Sequence, residues 1–173
     1  WGKLYRKSCF EGERYSVGKK LDDEFLTYRL LFAQEVLTII PAPLYAYYYN
    51  PTGITKSGWN VKSLDAWEAY EQQIAFFEQR GEWDLVRFRY RGYLENAVVN
   101  EADARQAQDS PEVLAARKRI HATIKNLLKR MSRLHYLEFW PDSELLLRYF
   151  PVRARIYRLY LETRARLERE KNA

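Results

Sequence analysis

The spacing of apolar positions changes period twice along this chain. In residues 25–35 it is helical: Phe25, Tyr28, Leu31 and Phe32 fall at i, i+3, i+6 and i+7, with Leu30 beside them and Arg29 turned away. Residues 36–40 are β-branched and too short for an independent helix, which predicts a buried strand. Pro41 and Pro43 remove two ladder donors and confine that run to an edge or a bend. Over residues 44–49 a period of two places Tyr45, Tyr47 and Tyr49 on one face, and Asn50, Pro51, Thr52 and Gly53 bring turn chemistry after them. Residues 1–10, with Leu4 and Cys9 among Lys3, Arg6 and Lys7, read as an edge strand, followed by a polar loop over 11–20.

Past Thr55 the helical period returns. Ser63 is placed to cap a helix whose stripe is Leu64, Trp67, Tyr70, Ile74 and Phe77, with Gly81 as its stop. A second helix over 83–99 offers Val86, Tyr90, Tyr93, Leu94 and Ala97 to a neighbour, and 100–109 either continues it or connects onward. Ser110 and Pro111 mark a restart as N-cap and first helical residue, with Ile120, Ile124, Leu127 and Met131 on one face beyond them. The expectation is an α+β chain: residues 1–58 carry short strands plus one helix, and residues 59–173 form a helical extension of four or five helices.

Charge divides the helical part. Residues 61–109 hold 6 Lys and Arg against 10 Asp and Glu, while residues 110–173 hold 15 against 7, within a chain of net charge +6. Arg153, Arg155, Arg158, Arg164, Arg166 and Arg169 lie opposite Val152, Ile156, Leu159, Tyr160 and Leu167 on the helical period. Such a face suits an anionic membrane surface, nucleic acid or water. The aromatic cluster in 134–140 suits packing between helices or stacking on sugar rings. With one cysteine, Cys9, no internal disulfide forms, and His121 and His135 are too far apart for a helical metal pair. No phosphate-loop or dinucleotide glycine pattern occurs, and no apolar run approaches the ~18 residues that span a bilayer. A cytoplasmic location is the expectation.

The candidate chemistry lies in three consecutive carboxylates, Asp22, Asp23 and Glu24, at the start of the first helix. Acids in a first turn accept from free backbone N–H groups and complement the helix dipole, which accounts for one or two of them. Three in a row exceed what capping needs. A carboxylate without that duty is free to serve as a general base or a metal ligand. Lys19 and Lys20 just ahead are either solvated charges or a lure for a diphosphate.

The opening WGKLYRKSCF, the DDEFLTYRLL segment, the PLYAYYYNPTGITKS segment and the helix over 59–77 together resemble the C-terminal half of a family 2 glycosyltransferase of bacterial polysaccharide biosynthesis. The resemblance covers about the first 80 residues. It implies an inverting enzyme with a GT-A fold, which displaces a nucleoside diphosphate from a sugar C1 by an acceptor hydroxyl. Asp23 matches the second acid of the family's pair and is implied as the base, with Asp22 or Glu24 tuning or orienting it. Trp1, Lys3 and the loop from Tyr49 to Thr55 are implied to contact sugar or phosphate. Tyr48 stands where the family usually has Arg, and Gly53 where it has Ser, so a donor-phosphate contact from that Arg is not carried over.

The implied partners are a nucleotide-sugar donor and a glycan or lipid-linked acceptor, with peripheral contact at the inner face of the membrane through the basic helices; nucleic acid is not expected. A divalent Mg or Mn ion is implied for the intact enzyme, held mainly by a donor half with an Asp-x-Asp motif. The acidic triplets at 22–24 and 101–103 sit in the wrong context for that motif. A first residue of Trp and the lack of a donor half suggest a fragment, inactive alone. The rival expectation is a non-catalytic basic helical module binding nucleic acid or an acidic protein.

Overall fold

A computed structural model of the chain describes residues 2–46, 48, 58–134, 148 and 149. The structure divides into two compact units, Trp1–His121 and Ala122–Ala173. Four α-helices are described: α1 (Thr27–Phe32), α2 (Asp65–Glu78), α3 (Trp83–Gln106) and α4 (Pro111–Arg133). Short 3-10 turns occupy Lys7–Phe10, Asp22–Phe25 and Val61–Leu64.

The hairpin of α2 and α3 is the centre of the first unit. Trp67, Ile74 and Phe77 from α2 and Val86, Tyr90, Tyr93, Leu94 and Ala97 from α3 are all buried, as the helical stripes predict. The stacked Tyr70 and Tyr93 rings, 5.4 Å apart, and the Trp67 indole N–H donating to Asn96 at 2.9 Å pair the helices in antiparallel register. Gly81 makes the corner. Its φ of 72° is one that side chains resist, and it lets Glu82 N–H reach Phe77 C=O at 3.0 Å and its own N–H reach Glu78 C=O at 3.2 Å. The start of α2 differs from expectation: Asn60 caps the preceding turn by accepting from Lys62 N–H at 3.0 Å, and the Ser63 hydroxyl accepts from Lys20 instead.

Residues 100–106 continue α3, and Arg117 closes the turn after it. Its guanidinium donates to Ala104 C=O at 2.8 Å, Ala107 C=O at 2.9 Å and the Asp109 carboxylate at 2.7 Å. A cation therefore occupies the negative end of the α3 dipole and satisfies carbonyls that have no helical partner. Ser110 caps α4 as the sequence predicts, its hydroxyl accepting from Val113 N–H at 3.2 Å. In α4, Ile120, Ile124, Leu127 and Met131 are buried.

The first helix forms later and shorter than its apolar spacing predicts. Phe25, Leu26 and Leu30 are the buried residues, while Phe32 is 39% exposed. Tyr28 and Phe32 set their ring edges against Phe76 and Phe77 at centroid distances of 5.1–5.9 Å, which fastens α1 to the end of α2. Arg80 covers the Phe76 face at 3.5 Å.

The α+β expectation is overturned: among the described residues there is no strand and the regular structure is helical. Residues 7–10 of the expected edge strand form a 3-10 turn. The run over 36–40 has no regular structure and is exposed, with Val36 at 78% and Ile39 at 89%. A strand needs a neighbour for its backbone groups, and no described segment supplies one. The prolines add their own constraint, because Leu44 N–H turns back onto Ala42 C=O at 2.9 Å across Pro43. The predicted tyrosine face falls partly on Tyr47 and Tyr49, outside the described residues.

Candidate functional site

The three carboxylates occupy one 3-10 turn, Asp22–Phe25, held from two sides. Phe25 and Leu26 anchor it by burial at its C-terminal end. At the other end Leu21 adopts φ 63° and ψ 50°, a left-handed conformation that costs a leucine about 1–2 kcal/mol. The backbone reverses there, immediately before the acids. Glu24 N–H then donates to Leu21 C=O at 3.1 Å and Leu26 N–H to Asp23 C=O at 3.3 Å. Strain of this kind persists where the surroundings over-determine it.

Within the turn the acids have separate fates. Glu24 faces the helical hairpin: the Gln73 amide nitrogen donates to its backbone carbonyl at 2.6 Å and to its carboxylate at 3.0 Å. Arg89 of α3 stands 3.6 Å from the same carboxylate, its guanidinium over the Tyr70 ring at 4.9 Å and near Phe88 at 5.4 Å. Asp22 and Asp23 face solvent, and among the described residues neither is paired with a cation or capped onto a backbone N–H. Capping therefore does not occupy them.

The loop ahead of the turn is tied to the start of α2. Lys20 N–H donates to the Asp65 carboxylate at 3.1 Å, the Lys20 ammonium to Ser63 at 3.1 Å, and Lys19 pairs with Glu68. The two lysines thus hold the acidic turn against α2. Arg29 clamps the loop from below with a two-pronged contact to Glu13, at 2.8 and 3.2 Å. An aromatic row, Tyr5, Phe10 and Tyr15, lines the same loop with centroids 5.5 and 6.0 Å apart.

Titration directions follow this arrangement. Burial, then the negative fields of Tyr5, Asp22 and Asp23, raise the Tyr15 phenol above its ordinary value. Burial and then Glu24 raise Tyr70, and burial and then Glu71, which accepts from its hydroxyl at 3.0 Å, raise Tyr93. Tyr15 places a phenol within electrostatic reach of both exposed aspartates.

Of the residues singled out from sequence, Asp22, Asp23 and Glu24 share the turn, and Lys3 is exposed without a polar partner among the described residues. Trp1, Tyr49 and Thr55 lie outside the described residues, as do residues 135–147 and the arginine-rich stretch over 150–173. Gln73 and Arg89 lie outside the residues that the apolar pattern singles out. Gln73 interrupts the apolar face of α2 between Tyr70 and Phe77 yet is 1% exposed, and Arg89 falls three residues after Val86 and four before Tyr93. A polar residue on an apolar stripe is the signal that was there to read.

No group of three or more His, Cys, Asp and Glu side chains among the described residues is arranged to hold a metal ion. No described helix is long and apolar enough to cross a membrane. No protein-family model, curated protein or solved structure matches the chain.

Proposed function

We propose that this chain supplies the acceptor side of an inverting sugar transfer from a nucleotide-sugar donor to a glycan or lipid-linked acceptor, with Asp23 as the general base. One observation carries the reading: of three consecutive carboxylates, Glu24 is engaged by Gln73 and Arg89, while Asp22 and Asp23 are exposed on a strained, well-anchored turn with no cation or capping partner among the described residues. The reading rests on that arrangement together with the DDEFL and PLYAYYYNPTGIT segments.

In the proposed step the Asp23 carboxylate takes the proton of the acceptor hydroxyl as its oxygen bonds to the sugar C1. The C1–O bond to the nucleoside diphosphate breaks, and its electron pair leaves with the diphosphate. Asp22 stands beside it on the same turn, exposed to solvent. No part of the step is assigned to a metal held by this chain. A cytoplasmic location, where nucleotide sugars are made, and peripheral contact with the inner membrane face belong to the same proposal.

A second reading draws on α4, which carries seven Lys and Arg and no Asp or Glu between Val113 and Arg133. A non-catalytic module binding an anionic polymer would use that helix. Two measurements separate the readings: sugar transfer by a protein that joins this sequence to a donor-binding half, in wild type and Asp23→Asn, and affinity for duplex and single-stranded nucleic acid against salt. Transfer lost with Asp23→Asn supports the first; a steep log-log salt slope with no transfer supports the second.

A further inference from the structure

We infer that Arg89 is a positioning residue for the Asp22–Asp23 pair, acting through Glu24; the inference deepens the proposed function and rests on it for its catalytic consequence. Glu24 stands on the same turn as the two aspartates, so holding its main chain and carboxylate together restrains the backbone from which theirs project. Two groups from two helices do so. Gln73 of α2 binds both the main chain and the side chain of Glu24 through one amide nitrogen, and Arg89 of α3 supplies the opposite charge at 3.6 Å.

Arg89 is itself held in place. Its side chain is 20% exposed and lies over Tyr70, whose ring is stacked on Tyr93 across the hairpin. Gly92, one helical turn on, lets Tyr70 approach: a Cβ there would stand 3.3 Å from the ring. The planar guanidinium meets a ring face and a carboxylate at once, which an ammonium on a flexible stem does not do equally well. A turn that begins with a left-handed leucine stores strain, and the Arg89–Glu24 contact counters its relaxation. The chain thus links the α2–α3 hairpin to the aspartates through Tyr93, Tyr70, Arg89 and Glu24.

The test reads the turn itself before any activity. Amide hydrogen exchange is measured on the whole chain in wild type, Arg89→Ala, Arg89→Lys, Glu24→Gln and the Arg89→Ala/Glu24→Gln double variant. Glu24→Gln keeps an acceptor for Gln73 while removing the charge that Arg89 faces. Expected is exchange about tenfold faster or more at the Glu24 and Leu26 amides in Arg89→Ala, with Ile74 and Ala97 unchanged, a smaller change in Arg89→Lys, and no further change in the double variant.

Unchanged turn amides overturn the inference, as does equal acceleration at Ile74 and Ala97, which marks a merely structural residue. Additive effects in the double variant also overturn it, because Arg89 then acts apart from Glu24. In the transfer assay the same variants should lower kcat with KM little altered, Arg89→Lys recovering part of the loss. Asp23→Asn with full transfer would remove the base assignment and leave the exchange result standing, so the two failures are distinct.

Discussion

Residues 25–32 and residues 36–46 are adjacent and similarly rich in apolar side chains, but one stretch is packed and the other is not. In the first, Phe25, Leu26 and Leu30 are buried and Tyr28 and Phe32 meet Phe76 and Phe77. In the second, Val36, Leu37, Ile39, Ile40 and Leu44 are all exposed. Apolar content is therefore not what buries a segment. The first stretch repeats at a period that turns one face toward α2, whereas the second has two prolines that exclude it from a helix and no described strand to pair with.

The largest effect expected from this contrast is at Trp67, 1% exposed on the packed side. Trp67→Ala should lower unfolding free energy by about 3–5 kcal/mol in a urea titration, because it opens a cavity and leaves the Asn96 side-chain amide oxygen without its indole donor. Next is Arg117→Ala, expected to cost about 1–3 kcal/mol by freeing two carbonyls at the end of α3 and the Asp109 carboxylate.

A smaller effect depends on pH. The neutral Tyr93 phenol donates to Glu71, and its folded-state value is raised above the ordinary value of about 10. Its contribution of about 1 kcal/mol is therefore whole below pH ~10 and is lost as pH rises through the raised folded value. Chemical denaturation at pH 8 and pH 11 should show this loss in wild type and less of it in Tyr93→Phe. Smallest of all is Ile39→Ser on the exposed run, expected to change stability by no more than about 0.5 kcal/mol. A loss of about 2 kcal/mol or more there would mean the run is packed after all, and would break the contrast.

The helical half of this fold was legible because its elements are local. The inner faces of α2, α3 and α4, the Gly81 stop and the Ser110–Pro111 start each follow from spacing or from one residue's backbone chemistry. The strands were misread because pairing is not local: β-branched composition at 36–40 states a capacity, and only a neighbouring segment turns it into a ladder. For the site, DDE on a turn was legible, and so was the surplus of acid over capping. Which acid turns inward was not, since Gln73 and Arg89 come from helices 49 and 65 positions further along the chain and meet Glu24 only after the hairpin forms.

The measurement that bears most directly on the account is sugar transfer from a nucleotide-sugar donor by the protein carrying this sequence, compared between wild type and Asp23→Asn, with donor binding followed in parallel. The substitution preserves size and removes the charge of a solvent-facing side chain, so the fold should be unaffected. The account predicts transfer reduced by about 100-fold or more with donor affinity nearly intact. Turnover equal to wild type would contradict it and remove Asp23 from the chemistry.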